Sequence, residues 1–183
     1  MRRLTTLLIT ALLIAWPEVD RSRVLASQSV TAASQQESLA STEPLVIVVN
    51  RSNPVDDISF AELRRIFLGN RSHWANGRRI TLVMREPGEP ERATILRDVC
   101  GMTEDQLKNH FLHGLFTGEI LVSPKILSSP TGVRKFIFNV PGAIGYLRIG
   151  DVDATVKVLR IDELLPEDKG YKLRVQTEAL GGN

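Results

Sequence analysis

Arg85 is the residue in this sequence best placed to hold a ligand. It follows a run of strand-forming residues, Ile80 to Met84, and ligands of open α/β sheets bind at the carboxyl ends of strands. A guanidinium there can grip a phosphate or a carboxylate through two parallel N–H bonds. Glu86, Glu89 and Glu91 follow closely, so a salt bridge within the chain is an equal expectation for Arg85. Asn50 and Ser52 come just after an earlier apolar run, Leu45 to Val49. They could face the same crevice, or serve as ordinary turn residues. Ser128, Ser129 and Thr131 lie at another helix start. Capping that helix is the default role of Ser129, because serine is a preferred N-cap; ligand contact by Ser129 and Thr131 is the alternative.

Other chemistries find less support. His110 and His113 are three apart on an expected helix, but no further ligands stand at a recognised zinc spacing. They are expected on an exposed polar face, and no metal is expected. The glutamates after Arg85 lack a nucleophile motif or a second carboxylate placed across a cleft, so no catalytic residue and no enzyme activity is expected. The sequence has neither a phosphate-cradling glycine loop nor a serine elbow, and no cofactor is expected. The single cysteine, Cys100, lies in an apolar helical context and is expected to be buried rather than reactive. Trp74 is expected to pack a helix–turn–strand corner.

The elements that position these residues follow from pattern. Leu45 to Val49 is continuously apolar and mostly β-branched, which suits a strand buried on both faces, as in a parallel sheet. Ser59 with Glu62 forms a capping box. The helix behind it turns Leu63, Ile66 and Phe67 to one face and stops at Gly69. A second strand spans Ile80 to Met84, and Arg85 to Gly88 is the turn into a helix from about Glu89 to Cys100. That helix faces Ile95, Leu96 and Val99 inward and ends at Gly101. Thr103 and Gln106 open the next helix, with Leu107, Phe111 and Leu115 at helical spacing. Ser129 and Pro130 open another, with Val133, Phe136, Ile137 and Val140 on its apolar face. Strands follow at Gly142 to Tyr146 and Thr155 to Ile161. Strands alternating with helices predict crossover connections and an α/β layered domain.

The N-terminus reads as an export signal. Arg2 and Arg3 precede an uncharged, mostly apolar stretch from Leu4 to Trp16, shorter than the roughly 20 residues that span a bilayer. Val24-Leu25-Ala26 offers a cleavage site, so residues 1–26 are expected to be a signal peptide cleaved after Ala26. Residues 27–44 are rich in Ser, Ala, Gln and Thr and predict a disordered leader. The domain is expected over 45–173 and a flexible tail over 174–183. Cleavage removes four arginines and two acidic residues from totals of 23 and 21, which leaves 19 of each. The remainder is formally neutral and argues for neither nucleic acid nor stable membrane insertion.

Two segments, IVVNRSNPVDDISFAELRRIFLGNRSHWANGRRITLVMRE and VRKFIFNVPGAIGYLRI, carry a family likeness. Their order of strand, helix, tryptophan turn, arginine strand and PGAIGY strand resembles the phosphate-type members of the type II periplasmic binding proteins. The likeness runs from about Leu45 to Ile161. It implies a single three-layer α/β lobe with a mostly parallel sheet flanked by helices. It also implies a periplasmic solute-binding role, for phosphate or another small anion, in ABC-type uptake.

Two departures bear on that role. Family members close two lobes on the ligand, and this domain has the length of one. The resemblance also implies a Ser-Gly-Thr turn holding phosphate after the arginine strand, where this chain has Glu89, Pro90 and Glu91. Arg85 and Gly88 alone match. Two carboxylates at a helix N-terminus satisfy its field themselves, and proline removes an amide. The leading expectation is therefore a small-anion binder that a protein partner or a second copy completes. The alternative is an envelope protein-interaction or sensory module that has lost ligand binding.

Overall fold

The computed structural model describes residues 42–176. β1 (Thr42–Asn50) is the strand on which the layers are built. Its side chains alternate between two cores, as the pleat requires. Leu45, Ile47 and Val49 enter one cluster with Leu63, Ile66, Phe67, Ile95 and Tyr146. Val46 and Val48 enter the other with Val83, Val133, Ile137 and Leu147. All five residues from Leu45 to Val49 are completely inaccessible. Burying each such side chain favours folding by about 1.5–3 kcal/mol.

The chain continues through β2 (Asp57–Ile58), α1 (Phe60–Phe67), β3 (Thr81–Arg85) and α2 (Pro90–Thr94), which runs on as a π-helical turn, Ile95–Cys100. Then follow α3 (Glu104–Thr117), β4 (Lys125–Leu127), α4 (Pro130–Asn139) and β5 (Ala143–Arg148). A 3-10 turn and β6 (Val156–Val158), β7 (Arg160–Ile161) and β8 (Arg174–Gln176) complete the described chain. The main sheet has the order β4-β3-β5-β1-β6, with β8 also on β1, while β2 and β7 form a separate parallel pair. Residues of α1, the π-helical turn and α3 pack with one core, and residues of α4 with the other. Among the described residues, no helix is long and apolar enough to cross a membrane.

Five of the six strands run in one direction, so the sheet is mostly parallel by strand direction. β1 alone is reversed and pairs antiparallel with β5, β6 and β8. The parallel pairing expected for Leu45–Val49 is corrected here. Its burial on both faces comes from a central position between two helical layers, which an antiparallel strand can occupy equally well. Two boundaries also move. Thr42–Pro44, expected in the leader, pairs with Arg174–Gln176, expected in the tail. The strand expected over Thr155–Ile161 is split between the main sheet and the β2–β7 pair. The expected signal peptide lies outside the described residues.

The local stop and start signals are used. Ser59 Oγ accepts from Glu62 N, Thr103 and Gln106 form a reciprocal capping box, and Ser129 Oγ accepts from Gly132 N. Gly101 closes its helix at φ 65°, a conformation that costs glycine little. Trp74 is buried and donates from Nε1 to Gly142 O at 3.0 Å, which pins the turn before β3 to the start of β5. Leu115 does not share the core with Leu107 and Phe111 but is 39% exposed. His110 is half-buried with Nε2 2.8 Å from Leu68 O, against the exposed face expected for it.

Cys100 is fully buried, and desolvation pushes its thiol up to about 11. The thiolate is the reactive form, so at pH 8 the folded chain is expected to leave a chromogenic disulfide reagent unreduced. One equivalent should react once denaturant is added. Rapid reaction of the native chain would contradict the burial.

Candidate functional site

The carboxyl ends of β3, β4 and β5 lie at one edge of the sheet, because these strands are parallel and in register. Arg85 pairs with Leu127, and Thr81 with Ala143. That edge gathers Arg85 from β3, Arg148 from β5, and the starts of α2 and α4. Glu43, near the amino end of reversed β1, joins them, with Leu45 opposite Arg148.

Arg85 is 5% exposed. Its backbone N–H donates to Tyr146 Oη at 2.9 Å, and its carbonyl accepts from Arg92 Nη1 at 2.7 Å. The guanidinium donates from Nη2 to Glu89 Oε2 at 2.7 Å. Nε and Nη1 are buried and have no hydrogen-bond partner among the described residues. An unpartnered buried donor costs about 1–3 kcal/mol, and native structures hold few of them. A small oxyanion has the acceptors that these two N–H groups lack.

The surrounding charges are fixed by ion pairs. Arg92 holds Glu104 through two bonds, Nε to Oε2 at 2.8 Å and Nη2 to Oε1 at 2.5 Å. Arg148 Nε donates to Oε1 of Glu91, a residue only 5% exposed, and Arg148 Nη1 stands 3.8 Å from Glu43 Oε2. Glu91 Oε2 is a second buried atom without a partner among the described residues. Burial keeps the Tyr146 hydroxyl protonated far above its ordinary range, so it stands as a neutral acceptor for Arg85 N.

Gly88 lies in the turn between Arg85 and α2 at φ 92°, with open space where a Cβ would stand. Ser129 and Thr131 open α4, which follows β4 at the same sheet edge. Both are exposed, and the Ser129 hydroxyl is engaged in the cap. Asn50 and Ser52 do not share this crevice. Because β1 is reversed, they stand at the opposite end of the sheet, where Val49 faces Ile144. There Asn50 Nδ2 donates to the carbonyls of Ile137 and Phe138 at 2.8 and 2.6 Å, and Oδ1 accepts from Ser52. Asn50 thus ties β1 to the end of α4, and Ser52 Oγ also accepts from Arg78.

Arg92, Glu104, Tyr146 and Arg148 were not singled out by sequence. Arg148 alone carried a usable signal, a cation at the carboxyl end of the PGAIGY strand. The Arg85–Glu89 pair realises the salt bridge foreseen for Arg85 while leaving two of its donors free. Among the described residues, no group of acidic, histidine or cysteine side chains is arranged to hold a metal.

Residues 21–179 match the PBP superfamily domain. The chain belongs to the PBP superfamily. Over 130 residues it is 32% identical to the phosphate-binding protein PstS of Bacillus subtilis, covering 68% of this chain and 38% of that protein. Its fold is similar to that of a putative phosphate ABC transporter substrate-binding protein with bound phosphate from Clostridium perfringens. There the TM-score is 0.62 at 20% identity, covering 74% of this chain and 54% of the other. PstS from Borrelia burgdorferi gives a TM-score of 0.60 at 13% identity, covering 74% and 55%. This PBP superfamily chain therefore spans about half the length of these solved relatives, and less of the Bacillus protein.

Proposed function

We propose that this chain is a non-enzymatic, extracytoplasmic solute-binding lobe that takes phosphate or another small oxyanion at Arg85 and serves ABC-type uptake. The observation that carries this reading is the buried Arg85 guanidinium, with Nε and Nη1 unpartnered among the described residues at the carboxyl ends of parallel strands. The phosphate-binding name of the Bacillus relative supports the choice of anion. Gly88 shapes the turn beside Arg85, and Thr131 offers an exposed hydroxyl at the neighbouring helix start. Export through residues 1–26, with cleavage after Ala26, places the lobe in the periplasm.

The described residues supply one wall of a cleft, whereas a good small-molecule pocket encloses most of its ligand. A protein partner or a second copy completes it. Isothermal titration of the purified chain with inorganic phosphate at near-physiological salt tests the reading. Binding in the micromolar range, lost in Arg85→Ala, is expected. No heat and no thermal stabilisation up to millimolar phosphate would overturn phosphate capture by this lobe alone.

A second reading, an interaction module without a solute, is favoured by one surface observation. Leu112, Phe116, Leu121, Val122 and Ile126 are exposed on α3, the loop after it and edge strand β4, with Phe116 84% exposed. Contiguous exposed apolar side chains mark interaction surfaces, and Leu112, Leu115 and Ile126 line one surface hollow. Under this reading sedimentation shows a self-association that Phe116→Asp abolishes and phosphate leaves unchanged. A monomer at all concentrations would contradict self-association.

A further inference from the structure

The Arg85 seat already contains an anion from its own chain. Glu89 Oε2 sits 2.7 Å from Arg85 Nη2, and the Glu89 side chain keeps about a third of its surface in water. The carboxylate therefore holds Nη2 from the more exposed side of the pair. It makes no capping bond to its own helix, although Glu89 occupies the N-cap position of α2. The pairing with Arg85 thus accounts for where this side chain lies. Gly88 precedes it at φ 92° with nothing within 4 Å of a Cβ position, so no neighbour packs against the turn at that point. Glu86, in the same turn, is exposed and makes no ion pair among the described residues.

We infer that Glu89 sets the affinity of the Arg85 seat: each two-point grip on the guanidinium joins Nη2 to either Nε or Nη1, Glu89 holds Nη2, and an oxyanion gains such a grip only by displacing that carboxylate. This rests on the reading of Arg85 as the anion anchor. A charge-assisted bond must be exchanged for another on entry, so the apparent affinity falls by the stability of the internal pair. The seat is accordingly built for a group of carboxylate or phosphate charge and size, and a neutral solute has nothing to offer it.

Calorimetric titration of the full chain with inorganic phosphate, in wild type, Arg85→Ala and three further variants, tests this. Glu89→Ala should bind phosphate about tenfold tighter or more. Glu89→Gln, which keeps the size but not the charge, should fall between that variant and wild type. Glu86→Gln removes the same charge from the same turn without opening the seat, and should change affinity less than about threefold. Thermal melts of all variants check that the fold is kept. Equal or weaker binding in both Glu89 variants would overturn the inference, as would a gain in Glu86→Gln matching that in Glu89→Ala. If wild type binds, Arg85→Ala abolishes binding and the Glu89 variants gain nothing, this inference alone falls. If no variant binds phosphate, the anion reading of Arg85 falls with it. Binding by Glu89→Ala alone would support both.

Discussion

Gly142→Ala is expected to destabilise the fold by about 3–4 kcal/mol, visible as a fall in Tm of roughly 10 °C. A Cβ at this position would stand 2.0 Å from the carbonyl oxygen of Arg79. The obstacle is backbone, which cannot swing aside as a flexible side chain does. Gly142 O also accepts from Thr81 N at 3.1 Å and from Trp74 Nε1 at 3.0 Å. Relieving the clash therefore strains the start of β3, the start of β5 and the tryptophan turn together. Overpacking alone typically costs 1–3 kcal/mol, and the two threatened bonds add about 1 kcal/mol each. A loss below about 1 kcal/mol in urea unfolding would show that this corner is looser than described.

The second large effect is expected at Arg148. It is the only described partner of Glu91, which is buried with Oε2 already unpartnered among the described residues. Arg148→Met leaves that carboxylate buried and uncompensated, a change that costs about 3–5 kcal/mol. Replacing both partners by apolar residues of similar volume removes the penalty, since a buried pair is often no better than a packed apolar one. Arg148→Met with Glu91→Leu should therefore recover most of the loss. Full additivity of the two single changes in a double-mutant cycle would mean that the residues do not act as a pair.

These two sites mark the limit of what the sequence could reveal. Ser59, Thr103, Ser129 and Gly101 were legible because a cap is decided by residues within one helical turn. Trp74 was legible as a corner residue, though not its bond to Gly142, which is 68 positions away. The direction of β1 was not legible at all, since an apolar β-branched run is compatible with either pairing once both faces are covered. That single reversal separated Asn50 and Ser52 from Arg85. Leu115 kept the helical spacing of Leu107 and Phe111, yet spacing does not say where a helix leaves its core.

At the candidate site, Arg85 and its glutamates were legible because they are neighbours in sequence. Arg148 and Glu91 meet across 57 positions, and Arg92 and Glu104 across 12. Ion pairs of that kind depend on which strand lies next to which, and periodicity carries no record of it. The family likeness supplied the strand sequence but not these pairs, because it offered Ser-Gly-Thr where this chain has Glu89, Pro90 and Glu91.

The most direct test of an oxyanion seat at Arg85 is to observe its side chain during ligand addition. With 15N-labelled arginine, the Nε–H resonance that disappears in Arg85→Lys identifies the group. Phosphate titration should shift this resonance progressively and slow its exchange with water, as a buried unpartnered N–H gains an acceptor. If it stays unmoved up to about 10 mM phosphate, a concentration that detects affinities as weak as millimolar, in the native sequence and in Glu89→Ala alike, Arg85 is not the anion seat.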